Sequence, residues 1–278
     1  MLRSLIILNT ALLIVSCTGL QGSSASGQQS STPNLGAVLT DAEQCRVALN
    51  TRPSTANLGF DMARVRLFNW NTQKNTDEDI AADLTRLSKG ADLILLQESV
   101  RNSSAFANID PAYHWSFSQG YKTTGVTTAS RIAPLAQCSL THYEPWLKSP
   151  KATNITEFAL QGTDKTLLVI NLHMINFSLG LDAMRAQLLQ ALSFVEQHEG
   201  PVIVSGDFNT WRKARRDFVV TAFEARGMQP VGYANDQRKR VFGYALDHTF
   251  VRDINTAFGT SHSVSTSDHN PMSVTLEF

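Results

Sequence analysis

A chain of 278 residues with 24 Lys+Arg against 24 Asp+Glu has no formal net charge, and its 42% apolar and 17% charged residues describe an ordinary folded protein. A nucleic-acid binder that collects phosphates through overall charge would be strongly basic, so any polyanion handled here must meet a local patch or a metal. Three cysteines exclude a disulfide scaffold, and no pair of them has the Cys-x2-Cys spacing of a zinc knuckle.

At the N-terminus, Met1, Leu2 and Arg3 lead into a run from Leu5 to Val15 that is apolar except for Asn9 and Thr10. Such a run rises about 16 Å as helix against a hydrocarbon core of about 30 Å, too short to span and suited to a secretory signal. Residues 1–16 are therefore read as a signal peptide. Ile14-Val15-Ser16-Cys17 resembles the bacterial lipobox, which implies a lipidated Cys17 as the first mature residue. Thr18 stands where an aspartate would signal inner-membrane retention, so the expected location is the bacterial envelope, anchored in the outer membrane and facing the periplasm. A secreted or periplasmic protein is the alternative. From Thr18 to Thr32, thirteen of fifteen residues are Ser, Gly, Gln or Thr, and residues 17–55 are read as a flexible tether. Cys45 and Cys138 remain, and an oxidising compartment would permit them to pair.

Residues 56–278 are expected to form one catalytic domain. Short apolar runs mark strands at Val65 to Phe68, Leu93 to Leu96, Gly125 to Ala129, Ile155 to Leu160, Leu167 to Leu172, Val202 to Ser205, Thr249 to Arg252 and Met272 to Phe278. Thr76 or Asp77 can cap a helix through Leu87, and Asp182 opens another with Met184, Leu188, Leu192 and Val195 on its stripe. Gln161 to Lys165 reads as a hairpin turn. This order of elements predicts an α/β fold of mixed sheets with helices outside.

Where the apolar runs stop, chemistry begins. Asn69, Gln97-Glu98, His173, Asp207-Phe208-Asn209, Asp247 and Ser267-Asp268-His269-Asn270 all sit at strand ends, where rigid scaffolds place functional side chains. One Asp or Asn there is usually a turn residue; six such sites are hard to explain as turns. Phe68-Asn69-Trp70-Asn71, Leu96-Gln97-Glu98, Gly206-Asp207-Phe208-Asn209, Leu246-Asp247-His248 and Ser267-Asp268-His269-Asn270-Pro271 resemble, in order, the motif series of the endonuclease/exonuclease/phosphatase superfamily. Asn171 to Gly180 and Asp236-Gln237-Arg238 are similar to its YafD-like bacterial branch. The resemblance implies the DNase I-like four-layer α/β/β/α sandwich. It also implies a Mg²⁺ site, with Mn²⁺ as a substitute, held by Glu98, Asn69 and Asp268. By the same resemblance Asp207 and His269 are candidates to activate a water, Asp247 orients His269, and His173 and Asn209 donate hydrogen bonds to the phosphate. Which of Asp207 and His269 takes the proton stays open, and Asn71, two residues after Asn69 on the same strand face, is an alternative ligand.

His248 reads as a strand histidine pointing away from the site. Arg212, Lys213, Arg215 and Arg216, with Arg238, Lys239 and Arg240, could hold a polyanion or a lipid headgroup, or could be solvated. Trp70, Phe208 and Trp211 could stack a base, although at least two are expected in the core. No Gly-x-Ser-x-Gly elbow supports a serine hydrolase, and the histidines lack zinc-motif spacing. The expected function is a monomeric, metal-dependent phosphodiesterase with nucleic acid as first substrate. A phospholipid or sphingomyelin phosphodiesterase of the same fold is the alternative, and from another class a catalytically silent phosphate-ligand binding protein.

Overall fold

Strand alternation decides which side chains meet between two sheets, and here it also decides where the site lies. Residues 38–49 and 58–278 are described by the structure, a computed structural model. The expected signal peptide 1–16, Cys17 and the Ser/Gly/Gln-rich stretch 18–32 lie outside the described residues. In chain order the elements are α1 (Ala42–Ala48), β1 (Val65–Asn71), α2 (Ile80–Leu87), β2 (Leu93–Val100), β3 (His114–Gln119), β4 (Thr124–Ser130), β5 (Ala136–Tyr143), β6 (Pro150–Ala159) and β7 (Thr166–His173). They continue as α3 (Asp182–Gln197), β8 (Val202–Asp207), α4 (Lys213–Glu224), β9 (Gln229–Pro230), β10 (Gly232–Ala234), β11 (Arg240–Val241), β12 (Tyr244–Ala245), β13 (Asp247–Arg252), β14 (Thr256–Ser261) and β15 (Met272–Glu277).

One sheet has the order β10-β14-β15-β1-β2-β4-β3 and the other β5-β6-β7-β8-β13-β9. Both are mixed: β1 and β2 are parallel, as are β7 and β8, while β13 runs antiparallel to β8. Leu67, Leu93, Leu95, Val169, Ile203, Val251 and Val274 pack between the sheets. Phe68, Trp70, Ile94 and Leu96 face the other way onto α2, and Leu168, Ile170, Val202 and Val204 face outward onto α3 and α4. Helix, sheet, sheet, helix is thus the four-layer sandwich expected from the sequence.

All eight expected strands form, several of them one to five residues longer at an end than their apolar runs. The expected α2 starts at Ile80 rather than at Thr76 or Asp77, because Asp77 Oδ1 accepts from Asp79 N–H at 2.9 Å and holds residues 77–79 in a turn ahead of the helix. The expected tether is folded over residues 38–49. Asp41 caps α1 by accepting from the N–H groups of Glu43 and Gln44 (3.1 and 2.9 Å), and Cys45 is disulfide-bonded to Cys138 on β5 with a Cα separation of 5.8 Å. Leu39 N–H also donates to Gln137 O at 2.8 Å, so this segment is tied to the edge of the second sheet.

Candidate active site

Following the inward-facing positions along each strand leads from apolar to polar. On β1 they run Val65, Leu67, Asn69, Asn71; on β2, Leu93, Leu95, Gln97; on β7, Leu167, Val169, Asn171, His173; on β8, Ile203, Ser205, Asp207; and on β13, read backward, Val251, Thr249, Asp247. The gap between the sheets is therefore oily at one end and polar at the other. At its centre Gln97 Nε2 donates to Asn69 Oδ1 (3.0 Å) and Asn171 Oδ1 (2.7 Å), and Asn171 Nδ2 donates to Thr127 O (2.9 Å), so one amide network ties the two sheets together below the site.

Asp207 is the hub. Its Oδ2 lies 3.5 Å from His173 Nε2 and 3.9 Å from His269 Nε2, and it accepts from Asn71 Nδ2 (3.1 Å) and Asn209 Nδ2 (3.3 Å). Asn209 N–H donates to Oδ1 at 2.9 Å. His269 Nδ1 meets Asp247 Oδ2 at 2.8 Å, while His269 O accepts from Trp70 Nε1 and His269 N–H donates to Ser267 Oγ. Glu98 closes the row at the other end, its Oε1 3.8 Å from His173 Nε2. Glu98 reaches the cleft because the β2 register shifts between Leu96 and Ser99 and Glu98 itself has φ 50°, a bulge that re-aims the side chain.

Charges follow from this crowding. Burial alone would lower the His269 pKa, but the carboxylates of Asp247 and Asp207 outweigh it and raise it to about 10. Burial pushes Asp207 upward, partly countered by His269. His173 is held well below the usual histidine range by burial and by Lys151, whose Nζ stands 2.7 Å from its Nε2. The lysine donates to that nitrogen, so Nε2 of His173 is engaged by Lys151. Burial lowers Lys151 in turn, against attraction from Asp207, Glu98 and Glu144.

Of the expected site residues, Glu98, His173, Asp207, Asn209, Asp247 and His269 come together. Asn69 lies one amide away, bonded to Gln97. Asp268 is exposed at the rim, where its N–H donates to Gln73 Oε1 (3.0 Å). Asn71, weighed as an alternative metal ligand, is bonded to Asp207 instead. Lys151 is an addition that no motif announced, and its sequence neighbourhood carries no signal of it.

A divalent cation fits this donor set. The Glu98 carboxylate accepts no hydrogen bond from the described residues and faces the cleft, and Asn69 Oδ1 has a second lone pair beyond its bond to Gln97, so both offer the hard oxygens that Mg²⁺ takes. Asp207, Asp247 and His269 also have ligand atoms within 4.8 Å of one another. These three are already hydrogen-bonded or charge-paired among themselves, an arrangement suited to moving a proton.

The basic clusters divide: Lys213, Arg216 and Arg240 are exposed, Arg212, Arg238 and Lys239 are partly buried, and Arg215 is turned inward. Arg215 is fully buried and braces the site from behind, donating from Nε to Asn209 O (2.7 Å) and from a terminal nitrogen to Ile175 O. Arg238 and Arg240 pair with Asp236, and Arg238 also donates to Asp247 O (3.0 Å). Trp70 and Phe208 are core, and Trp211 donates to Asn176 Oδ1 (3.0 Å). His248 points away from Asp207, hydrogen-bonds to Thr210 Oγ1 (2.8 Å) and packs against Phe208; burial lowers its pKa to about 3.

A family model described as "Endonuclease/Exonuclease/phosphatase family" matches residues 68–269. The chain belongs to the endonuclease/exonuclease/phosphatase family. It is accordingly a hydrolase of phosphoester bonds in a family that typically depends on a divalent metal. A UPF0294 protein of Vibrio vulnificus is 33% identical over 226 residues, 77% of each chain. An endonuclease/exonuclease/phosphatase of Bacteroides vulgatus is similar in structure with a TM-score of 0.60 at 19% identity, covering 77% of this chain and 99% of that one. TDP2 of D. rerio, in complex with a single-strand DNA product, gives 0.59 at 15% identity, covering 78% and 100%. These two likenesses carry the fold.

Proposed function

We propose that this family member is a divalent-metal-dependent phosphodiesterase in which Asp207 accepts the proton of the attacking water. The observation that carries the reading is the continuous row Glu98, His173, Asp207, His269, Asp247, whose Glu98 and His173 end lines a cleft of about 350 Å³. With a pKa raised to about 10, His269 is the imidazolium near neutral pH, so it has a proton to donate to a phosphoryl oxygen and none to accept. That leaves Asp207 as the base, and its raised pKa favours the task. The water oxygen bonds to phosphorus, its proton goes to Asp207, and the leaving oxygen departs with the bonding pair. Lys151 balances charge beside His173. A Mg²⁺ held by Glu98 and Asn69, with Asp268 at the rim, would supply stabilisation of the charge that builds on the phosphoryl group.

A diester is favoured over a monoester because a second cavity of about 490 Å³ borders Asn209, leaving room for a substituent on each side of the row. Purified full-length chain offered DNA, RNA, sphingomyelin and a chromogenic phosphodiester with Mg²⁺ tests the reading. Hydrolysis of the diester that EDTA abolishes is expected, and Glu98→Gln should weaken metal affinity and activity together, with only partial rescue at saturating metal. Full activity in EDTA would remove the metal, and turnover of no phosphoester with any metal would leave the silent binding protein. We also place the chain in the envelope, anchored through Cys17. The disulfide supports an oxidising compartment, and Cys17→Ser should release the protein from the membrane fraction.

A further inference from the structure

The second cavity is unlike the first. Trp146, Leu147, Phe177, Leu179 and Phe242 are each more than half exposed, and they converge on it from three loops: after β5, after β7, and in the β11–β12 hairpin. Large apolar side chains gathered in this way mark a binding surface. The loop after β7 that carries Phe177 and Leu179 is pinned from below. Glu144 accepts from the N–H groups of Asn176 and Phe177 (2.8 and 2.9 Å), Arg212 donates to Leu179 O (2.6 Å), and Trp211 is fixed to Asn176. Phe177 and Leu179 are thus held outward by a built floor.

Two features say what the groove takes. Leu147 and Phe177 line both this groove and the cleft of Glu98, Lys151 and His173, and Asn209, which is bonded to Asp207, lines the groove itself. A phosphorus atom placed at Asp207 therefore has the groove within reach of its substituent. The polar side chains in the lining are already engaged: Asn176 Oδ1 by Trp211, Asn209 Nδ2 by Met174 O and Asp207, and Ser178 Oγ by Gly180 O and Arg215. Beyond those bonds the polar atoms of the lining are few, chiefly the free ends of the Asn176 and Asn209 amides and the Trp146 indole N–H, while most of the wall is aliphatic and aromatic and suits a hydrocarbon.

The geometry points to a phosphodiester bearing an alkyl or acyl chain, of the phospholipid type, as the substrate, with the chain in this groove. The inference rests on the phosphodiesterase reading and names its substrate class. Hydrolysis of such a diester forms a bond from water oxygen to phosphorus and breaks the bond to the leaving oxygen, which keeps the electron pair.

The test uses alkyl p-nitrophenyl phosphodiesters from methyl to octyl, below their micellar concentrations, with full-length protein and Mg²⁺. Each methylene that enters the groove should raise kcat/KM about two- to fourfold, so octyl should exceed methyl by about a hundredfold or more. Leu179→Ser and Phe242→Ser, both at exposed positions that tolerate a polar residue, should lower the octyl-to-methyl ratio several-fold. In parallel, fluorescence of Trp146 and Trp211 is titrated with octyl phosphate and methyl phosphate. Turnover of the methyl ester with a flat chain-length series overturns the inference and leaves the phosphodiesterase reading standing. A flat series combined with binding to phospholipid vesicles overturns it in favour of a membrane-docking face. If no ester turns over but octyl phosphate binds at least tenfold tighter than methyl phosphate, the groove assignment stands and the phosphodiesterase reading falls.

Discussion

Asp207 and His269 divide one proton problem between them, and the division can be measured. Asp207→Asn keeps the shape of a buried side chain and removes a carboxylate that burial disfavours, so turnover should fall at least a hundredfold while the thermal midpoint holds or rises. His269→Ala should lose about as much. Asp247→Asn should lose less, since the imidazole remains, and adding it to His269→Ala should change little because the two act as a unit. Wild-type turnover in both single variants would place the chemistry elsewhere. Sequence made Asp207, Asp247 and His269 legible through strand ends and motif order. It could not make Lys151 legible, because nothing local distinguishes a lysine that will be buried against His173 from one left in solvent. Arg215 misled for the converse reason: it looks like a surface charge until its guanidinium is seen capping the carbonyls of Ile175 and Asn209.

At the level of elements, the strands that carry runs of aliphatic or β-branched residues were legible, and those without such runs were not. β3 (His-Trp-Ser-Phe-Ser-Gln) and β5 carry few β-branched residues and are fixed by their partners β4 and β6. α4 was hidden because Arg215 occupies a buried position and Val219-Val220 imitates a strand. Gly206 is where two elements meet most tightly: its φ is 151°, and a Cβ there would stand 2.0 Å from Leu172 O on β7. Gly206→Ala should therefore push β8 off β7, costing about 3 kcal/mol or more, and displace Asp207 next to it. Urea titration should show the lower midpoint and kinetics a parallel loss of turnover; a variant with native stability would contradict the packing. α1, only seven residues long, depends on its crosslink. Closing a sequence separation of 93 residues contributes up to about 4.6 kcal/mol in the chain-entropy account, so Cys45→Ala should lower unfolding free energy by an amount within that range.

Across the whole molecule the buried titratable groups give stability a maximum near neutral pH, and His269 sets the alkaline side. Burial lowers His142, His173, His198, His248 and His262, so between their folded values and 6.5 the unfolded chain binds more protons and stability rises with pH. Glu157, raised by burial to about 7, acts in the opposite sense between 4.5 and 7, and is outnumbered. Above that range the order reverses. Burial would lower His269, but Asp247 and Asp207 raise it to about 10, so the folded state holds a proton that the unfolded chain has released above 6.5. This contribution is fully present below 6.5 and is lost as pH rises through 10. Lys151, lowered by burial, offsets part of the loss, which makes a difference measurement the sound one. Thermal midpoints of wild type and His269→Ala, taken in EDTA from pH 6 to 10.5, should converge as pH rises, with wild type ahead at neutrality and its lead gone near pH 10. Parallel curves across that interval would mean that His269 is not held as an imidazolium between the two carboxylates, and the assignment of Asp207 as the base would lose its support.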